Sequence, residues 1–341
     1  MKEKGVTSYI YNFFDQDDSD GENKLIEIGG FKVCLGINVI LLPGVKIRAN
    51  PALTGKITTI GNNSFIGKNA VIEEGSELPP KTILRGDLLQ PLGVGPRVML
   101  VGDDFGRNEN NNQCTAHLLE TNALHHASLV LNKKESTIEA IGLLRRNPSW
   151  NNKVSLHFNI TEGYSLLSDP SLYYSVNDPV SLGKRINSPK SSFFLSRKDK
   201  KRMLEELRAQ IRCYKSLGLE PRYFDSHGNI SFKWPVAKAI TPVLKEEGFE
   251  YVRIPRDTHA HPIYDFLFKR KVTKLYQKNF KTADAFLYIT DLLNSDFSKF
   301  NGKTIEIMTH PFMKHGEYIN RRDVGFEAMF AFFNSIGATL L

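Results

Sequence analysis

The stretch from Val98 to Gly106 reads V-M-L-V-G-D-D-F-G and decides the fold. Its four consecutive apolar residues, Val98 to Val101, are typical of a strand buried on both faces, as in a parallel sheet flanked by helices. Two adjacent carboxylates, Asp103 and Asp104, follow the apolar run. The functional residues of α/β folds collect at the carboxyl ends of such strands, but Asp is also favoured at turns. On position alone, the acid pair is therefore either a functional site or the start of a turn.

Beyond Arg97, apolar β-type runs alternate with helical patterns, which indicates βα units and a parallel sheet. The clearest helix runs from Ser196 to Leu217, with a capping pair at its start and Gly218 as its stop. Two further helices are expected at residues 235–247 and 323–336. Seven strand–helix units predict an α/β fold of the incomplete (β/α)7 barrel type. The expected strands are residues 98–102, 127–131, 154–158, 222–226, 251–254, 285–289 and 304–309.

Polar side chains stand at the predicted carboxyl ends of these strands, where the working residues of a barrel collect. A lone histidine is more often a packed or surface residue than a ligand. Three histidines on separate strand ends beside two carboxylates nevertheless favour a metal site. The candidates, in chain order, are Asp103, Asp104, His157, Asn159, Asp225, His227, Arg253, Asp291 and His310. Residues 162–195 form a long polar insertion, typical of a lid or a disordered loop, whose role stays open.

A six-residue repeat of aliphatic residues precedes the predicted barrel. Aliphatic residues recur every six positions from Leu35 to Leu53 and, after a one-residue shift, from Ile60 to Leu84. A six-residue step is typical of a parallel β-helix with three hexapeptides per coil. The run from Ile60 to Ile72, I-G-N-N-S-F-I-G-K-N-A-V-I, resembles the hexapeptide-repeat family, whose members form left-handed β-helices. The resemblance covers residues 28–88.

These patterns predict four parts. Residues 1–27 form an acidic arm, 28–88 a short left-handed parallel β-helix, 89–97 a linker and 98–341 the barrel. A short β-helix has open ends and flat faces that need neighbours. The resemblance to the hexapeptide-repeat family, whose acyltransferases act as trimers, implies that this segment holds the chain as a homotrimer. Hexapeptide-repeat proteins are dominated by acyltransferases that usually carry a catalytic histidine on a coil loop. No histidine precedes His117, so sugar acyl transfer is the alternative rather than the leading function.

Six blocks of the barrel region, in order, resemble the YdjC-type carbohydrate deacetylases. Each block is weakly diagnostic alone, but the ordered set is specific and covers most of residues 98–341. The blocks are V-M-L-V-G-D-D-F-G, A-S-L-V-L-N (127–132), V-S-L-H-F-N-I-T-E-G (154–163), F-D-S-H (224–227), V-R-I-P (252–255) and E-I-M-T-H-P (306–311).

The resemblance implies a metal-dependent hydrolase that removes the acetyl group of an N-acetylated sugar. Asp104, His157 and His227 would bind one divalent ion, and water activated by that ion would be the nucleophile. Asp103 would be the general base, and His310 would protonate the departing amine. Zinc suits one carboxylate with two imidazoles, and magnesium would tolerate them with more water ligands.

Four further residues are candidate substrate ligands: Arg253, Asp225, Asn159 and Asp291. Arg253 has a second interpretation, as the partner that orients Asp103. The chain also departs from the family after His227, where more histidines commonly follow at alternating positions. Here Gly228, Asn229, Ile230 and Ser231 stand instead, so His227 is the expected ligand from this strand.

Composition and charge limit the class of protein and the partners to be expected. The chain has 341 residues, 41% hydrophobic and 24% charged, as in an ordinary soluble globular protein of two domains. Its net charge of +8 is spread along the chain, so no nucleic-acid partner is expected. Three well-separated cysteines and the lack of a signal-like or membrane-spanning run predict a cytoplasmic protein. A non-catalytic sugar-binding or scaffold protein remains the other alternative.

Overall fold

The computed structural model describes residues 23–37, 39–42, 44–67, 69–84, 95–167, 173–178, 180–255, 268–289, 291, 297–314, 316–320 and 324–341. They form two compact units. The first contains the described residues up to Arg97 together with 289–303 and 312–339, and the second contains Val98–Tyr288, Thr304–Pro311 and the last two residues. Two later segments of the chain thus belong to the first unit.

The first unit begins with nine short strands. They are β1 (Lys24–Ile28), β2 (Phe31–Leu35), β3 (Ile40–Leu41), β4 (Lys46–Arg48), β5 (Thr58–Ile60), β6 (Phe65–Ile66), β7 (Val71–Glu73), β8 (Glu77–Leu78) and β9 (Ile83–Leu84). β1 pairs antiparallel with β2 and already lies inside the predicted arm. Residues 1–22 of that arm, and most of the predicted linker, lie outside the described residues. The remaining pairs are parallel and form the ladders β2-β5-β8, β3-β6-β9 and β4-β7.

The spacing of these ladders explains the six-residue pattern. Partners in the later ladder pairs lie 18 residues apart, as Ser64 and Thr82 do, which corresponds to three six-residue steps. Partners in the earlier pairs lie 25 residues apart, as Arg48 and Glu73 do. The repeated aliphatic residues, including Ile60, fill the interior. Leu53 does not belong to this set, because it lies in the turn between β4 and β5 where the extra residues are accommodated.

The second unit alternates strands with helices. In chain order these are β10 (Arg97–Phe105), α1 (Glu109–Glu120), β11 (His126–Leu129), α2 (Glu135–Arg146), β12 (Val154–Phe158), β13 (Gly163–Tyr164), β14 (Tyr173–Tyr174), α3 (Leu182–Asn187), α4 (Arg197–Ser216), β15 (Tyr223–Ser226), α5 (Trp234–Glu246), β16 (Tyr251–Val252), α6 (Arg270–Asn279), β17 (Ala285–Tyr288) and β18 (Thr304–Thr309).

Seven of these strands belong to one eight-stranded sheet, in the order β16-β15-β12-β11-β10-β18-β17, and the last strand of the chain (Thr339–Leu340) pairs with β10. The seven are the strands that the apolar runs predict. Parallel ladders join β10 to β11, β11 to β12, β12 to β15, β15 to β16 and β17 to β18. Among the described residues, a single parallel bridge between Tyr251 and Lys281 connects the two ends of this order. The mixed α/β fold with a parallel, incompletely closed sheet is the predicted incomplete barrel.

The insertion after β12 has structure of its own. β13 and β14 pair antiparallel, and α3 follows them. The buried carboxylate of Glu206 on α4 accepts hydrogen bonds from the Ser165 hydroxyl at 2.6 Å and the Tyr174 hydroxyl at 2.9 Å. Residues 168–172 and 179 of the insertion lie outside the described residues. The insertion is therefore bound to helix α4 through Ser165 and Tyr174.

The chain ends with β19 (Pro311–Lys314), β20 (Glu317–Asn320), β21 (Val324–Gly325), α7 (Phe326–Ser335) and β22 (Thr339–Leu340). The expected last barrel helix, at residues 323–336, is α7, but α7 belongs to the first unit. There its Phe332 ring lies 5.6 Å from the ring of Phe65 on β6. Over the described residues, the structure contains no helix with the length and apolar character needed to cross a membrane.

The N-cap of α4 allows a test of how much a local hydrogen bond stabilises the barrel. The Ser196 hydroxyl accepts the Asp199 backbone N–H at 3.0 Å and donates to the Asp199 carboxylate at 2.8 Å. Replacing this N-cap in Ser196→Ala should lower the free energy of unfolding by about 1 kcal/mol in chemical denaturation. The matched control is Ser216→Ala, whose exposed hydroxyl donates to the Cys213 carbonyl in the last turn. An equal loss in both variants would contradict the capping role.

Candidate metal centre

The acid pair lies where β10 leaves its regular ladder. The pairing of β10 with β11 shifts register between Gly102 and Phe105. Asp104 has a positive φ of 70°, a conformation that Asp tolerates better than most residues. Gly106 has a φ of 90°, and a Cβ there would collide with the Val130 carbonyl oxygen. This irregularity lets both neighbouring carboxylates border the same site, since Asp103 and Asp104 both act on His157.

Asp104 faces two histidines from other strands. Its Oδ1 lies 2.8 Å from His227 Nδ1 and 3.6 Å from His157 Nε2. One ligand atom from each of the three side chains falls within 4.8 Å of the others. Burial raises the pKa of Asp104, but the His227 hydrogen bond and the His227, His310 and His157 charges together lower it well below its ordinary value. The structure brings the three expected ligands together, and their donor types fit a divalent ion.

The outer nitrogen of His157 is held by Asp225. His157 Nδ1 lies 2.7 Å from Asp225 Oδ1, and the Ser128 hydroxyl donates to Asp225 Oδ2 at 2.6 Å. Burial lowers the pKa of His157, but the carboxylates of Asp225, Asp103 and Asp104 raise it to about 9. The surrounding carboxylates therefore favour positive charge at this imidazole.

A single arginine joins three buried carboxylates below this centre. Arg253 donates two hydrogen bonds of 2.8 Å to the oxygens of Asp103 and contacts Asp225 Oδ2 at 2.8 Å. Its Nε donates to Glu306 on β18. Burial lowers the pKa of Arg253, yet Asp103, Asp225 and Glu306 together raise it well above the ordinary value. Asp103, His157 and Asp225 also form a close donor group, but the guanidinium already supplies positive charge to both carboxylates.

His310 follows β18 on the other side of β10. Its Nε2 lies 3.8 Å from Asp104 Oδ2. Both chain neighbours of His310 are tied down, since the Thr309 hydroxyl donates to the Val101 carbonyl at 2.9 Å and Asn111 donates to the Pro311 carbonyl at 2.6 Å. Burial lowers the pKa of His310 although Asp104 and Asp103 raise it. Its protonated form is therefore a stronger acid than an ordinary imidazolium.

Two charged residues outside the predicted set also border the centre. Arg107 donates to Asp104 Oδ2 at 2.9 Å and, through Nε, to Glu162 Oε1 at 2.7 Å. Glu162 Oε1 in turn lies 3.7 Å from His227 Nε2. The sequence patterns did not predict three of these residues as part of the site: Arg107, Glu162 and Glu306. Glu306 had a readable signal, because it is the one charged residue in the apolar run T-I-E-I-M-T, and Glu162 lies within the block that ends T-E-G.

The candidate substrate ligands have different environments. Arg253 and Asp225 are almost fully buried, and their charged groups bind other protein groups. The Asn159 amide is also buried and bonds Asn132 and the backbone of residues 161 and 162. This burial favours a supporting role for these three residues. Asp291 is half-buried and belongs to the first unit, so its assignment stays a prediction.

Comparison with known proteins agrees with the blocks in the sequence. The family model of the YdjC-like protein matches residues 97–329. The chain belongs to the YdjC-like family. Carbohydrate deacetylases of Xenopus laevis and Danio rerio are each 27% identical to it, over 178 and 174 residues. These alignments cover 48% and 47% of this chain and 53% and 50% of the relatives, so the chain spans about half the length of the curated relatives it matches.

A solved structure from Enterococcus faecalis, of a protein named for cellobiose-phosphate cleavage, has the same fold. Its TM-score is 0.52 at 15% identity, over 72% of this chain and 97% of the other. At this identity the likeness describes the fold alone. The site must therefore be judged from its own geometry.

The Arg253 cluster gives a stability prediction. In Arg253→Met, three buried carboxylates lose their shared cation, so the free energy of unfolding should fall by about 3–5 kcal/mol in chemical denaturation. Arg222→Met removes an equal charge from a half-exposed pair with Glu220 and should change it by less than about 0.5 kcal/mol. A small effect of Arg253→Met would show that the cluster is not held by this cation.

Proposed function

We propose that this protein is a metal-dependent hydrolase that removes the acetyl group from an N-acetylated sugar. The observation that carries the proposal is the meeting of Asp104, His157 and His227 beside a second carboxylate, Asp103, and a further histidine, His310. Membership of the YdjC-like family and the two carbohydrate deacetylase relatives support the substrate class.

Asp104, His157 and His227 are the residues that would hold the ion. Their donors fit zinc best, and magnesium is the second choice. When bound, a divalent ion would polarise the acetamide carbonyl and make water more acidic. Because the surrounding carboxylates favour a proton on His157, ion binding requires the loss of that proton.

Asp103 is the proposed general base. Its carboxylate is almost fully buried, and the paired hydrogen bonds from Arg253 fix its plane. Each oxygen keeps a lone pair that can accept a proton from the attacking water. Arg253 and Asp225 therefore act indirectly, as do Asn159 and its amide network, by holding groups that face the substrate. Asp291 remains a candidate substrate ligand.

His310 is the proposed proton donor to the leaving amine. An amide nitrogen leaves only when it is protonated, so a donor is needed opposite the base. His310 lies 3.8 Å from Asp104 Oδ2, and its half-buried ring is 24% exposed. The hydrogen bonds on both sides of this residue keep its ring at the same edge of the sheet as Asp104.

Acetate release tests the proposal. The full chain, supplied in turn with zinc, magnesium or a chelator, should release acetate from at least one member of a panel of N-acetylated sugars. The chelator should remove the activity, and added metal should restore it. Sugar binding without acetate release under any metal would favour a binding or scaffold protein. Acyl transfer from an acyl donor to the sugar would favour the hexapeptide acyltransferase alternative.

Two variants assign the residues in the same assay. Asp103→Asn should keep the metal but lose turnover by about 10²- to 10⁴-fold, because it removes the proton acceptor. Asp104→Ala should lose both metal and turnover. Metal content by elemental analysis separates the two variants, and undiminished turnover in Asp103→Asn would reject Asp103 as the base.

We further propose that residues 28–88 form a left-handed β-helix that joins three copies of the chain. The three parallel ladders, and the 18-residue spacing of the β5-β8 and β6-β9 pairs, support the β-helix. Helix α7 packs on the ladder that contains β6. Apolar side chains on other ladders point outward, since Leu25 is 55% and Val71 is 48% exposed. Such side chains offer partner copies apolar surface to bury.

Native mass measures the assembly directly. Three copies of the 38.6 kDa chain should give about 116 kDa by sedimentation or light scattering. Val71→Glu places a charge on the outward surface of β7 and should shift the mass toward that of one chain. A native mass of 38.6 kDa for the unmodified protein would reject the trimer.

A further inference from the structure

The two histidines of the candidate metal centre have a common arrangement. Each directs one ring nitrogen toward Asp104, His157 through Nε2 at 3.6 Å and His227 through Nδ1 at 2.8 Å. Each directs its other ring nitrogen toward a carboxylate. For His157 this is Asp225 at 2.7 Å, and for His227 it is Glu162 at 3.7 Å.

The backbone of Glu162 is fixed by hydrogen bonds to two asparagine side chains. The backbone N–H of Glu162 donates to Asn159 Oδ1 at 3.3 Å, and its carbonyl accepts from Asn159 Nδ2 at 2.9 Å and Asn132 Nδ2 at 3.1 Å. Both asparagines are buried. Gly163 follows with a φ of 89°, and a Cβ there would strike the Asn132 carbonyl oxygen. The turn that carries Glu162 is therefore built from buried amides.

The Glu162 side chain is held by cations. Arg107 Nε donates to its Oε1 at 2.7 Å, and Lys133 Nζ lies 3.7 Å from the same oxygen. Arg107 also binds the Oδ2 of Asp104, the oxygen that does not face the histidines closely. One Arg107–Glu162 pair thus touches two of the three candidate ligands. The donor group itself, within the described residues, comprises Asp104, His157 and His227, without Glu162.

We propose that Glu162, held by Arg107, is the positioning residue of His227. Its carboxylate, 3.7 Å from His227 Nε2, favours the tautomer with the proton on that nitrogen and so leaves Nδ1 to bind the ion. Asp225, at Nδ1 of His157, leaves Nε2 of that ring to the ion in the same way. Carboxylates behind metal-binding imidazoles fix the tautomer and ring orientation and raise the basicity of the ligand. Arg107 keeps Asp104 Oδ1 directed to the same point by occupying Oδ2. The inference rests on the proposed function for the presence of the ion.

An ordinary surface ion pair would not have this form. Exposed pairs join long, mobile side chains and contribute little. The side chains of Arg107 and Glu162 are only 22% and 24% exposed, and the Glu162 backbone is bound by two buried amides. The arrangement also differs from that of Asp225, which is buried and shares Arg253. The His227 side of the centre is therefore more open to solvent than the His157 side.

Metal affinity of the full chain is the direct test. Zinc dissociation constants, measured by competition with a chelator at neutral pH and without sugar, should rise about 10- to 100-fold in Glu162→Gln. Arg107→Met should weaken binding in the same direction, and Glu162→Asp should restore part of the loss. The matched control is Glu205→Gln, which removes the same charge from an exposed pair with Lys201 and should leave the affinity unchanged.

Cobalt(II) absorption separates positioning from direct ligation. A positioning role predicts that Glu162→Gln keeps one ion per chain and the band intensity of the same coordination number. Equal zinc affinity in Glu162→Gln and the unmodified protein would overturn the inference, and so would a cobalt spectrum that shows one lost ligand. Acetate release does not enter this test. Weakened zinc binding in the variant of a protein that releases no acetate would support the inference and reject the proposed function.

Discussion

The barrel depends on one guanidinium. Arg253 is almost fully buried and compensates Asp103, Asp225 and Glu306, so one positive charge meets three buried carboxyl groups. Burying a carboxylate without a neighbouring positive charge destabilises the folded protein, and two pKa shifts reduce this cost here. Burial raises the pKa of Glu306, and the surrounding acids raise that of His157 to about 9. A divalent ion bound beside His157 would replace the charge of its proton, so the same excess of acid that requires Arg253 also favours a cation.

Two adjacent carboxylates of β10 border the same candidate site because the strand is irregular at its carboxyl end. In a regular strand, neighbouring side chains point to opposite faces. Here the register shift after Gly102 and the positive φ of Asp104 change that geometry. Asp103 is bound by Arg253 inside the barrel, while Asp104 faces the histidines. A two-residue acid motif can thereby provide both the proposed base and a proposed metal ligand.

The sequence predicted the elements whose signal is local. All seven barrel strands were found, because strands buried on both faces are short continuous apolar runs. The expected ligands were found from strand ends together with the family blocks. The pairings that hold them were not predictable, since Arg253 meets residues 150 and 53 positions away in the chain. α1 was missed because its first turn, E-N-N-N-Q, has the polar composition of a loop. The asparagines are buried by tertiary contacts, where Asn112 accepts from the Gly106 N–H and Asn111 bonds Pro311.

Asn111 also helps to hold two distant parts of the chain together. Asn111 and the Val101 carbonyl hold the residues on either side of His310, and both belong to β10 or the helix that follows it. Asp103 and Asp104 lie between these two anchor points. His310, the proposed acid, and Asp103, the proposed base, lie about 200 positions apart in the chain. Their separation in space is nevertheless fixed, because β10 and α1 carry Asp103 and also bind the neighbours of His310. Catalysis needs such separations held closely, and a single rigid unit holds them better than two independent loops.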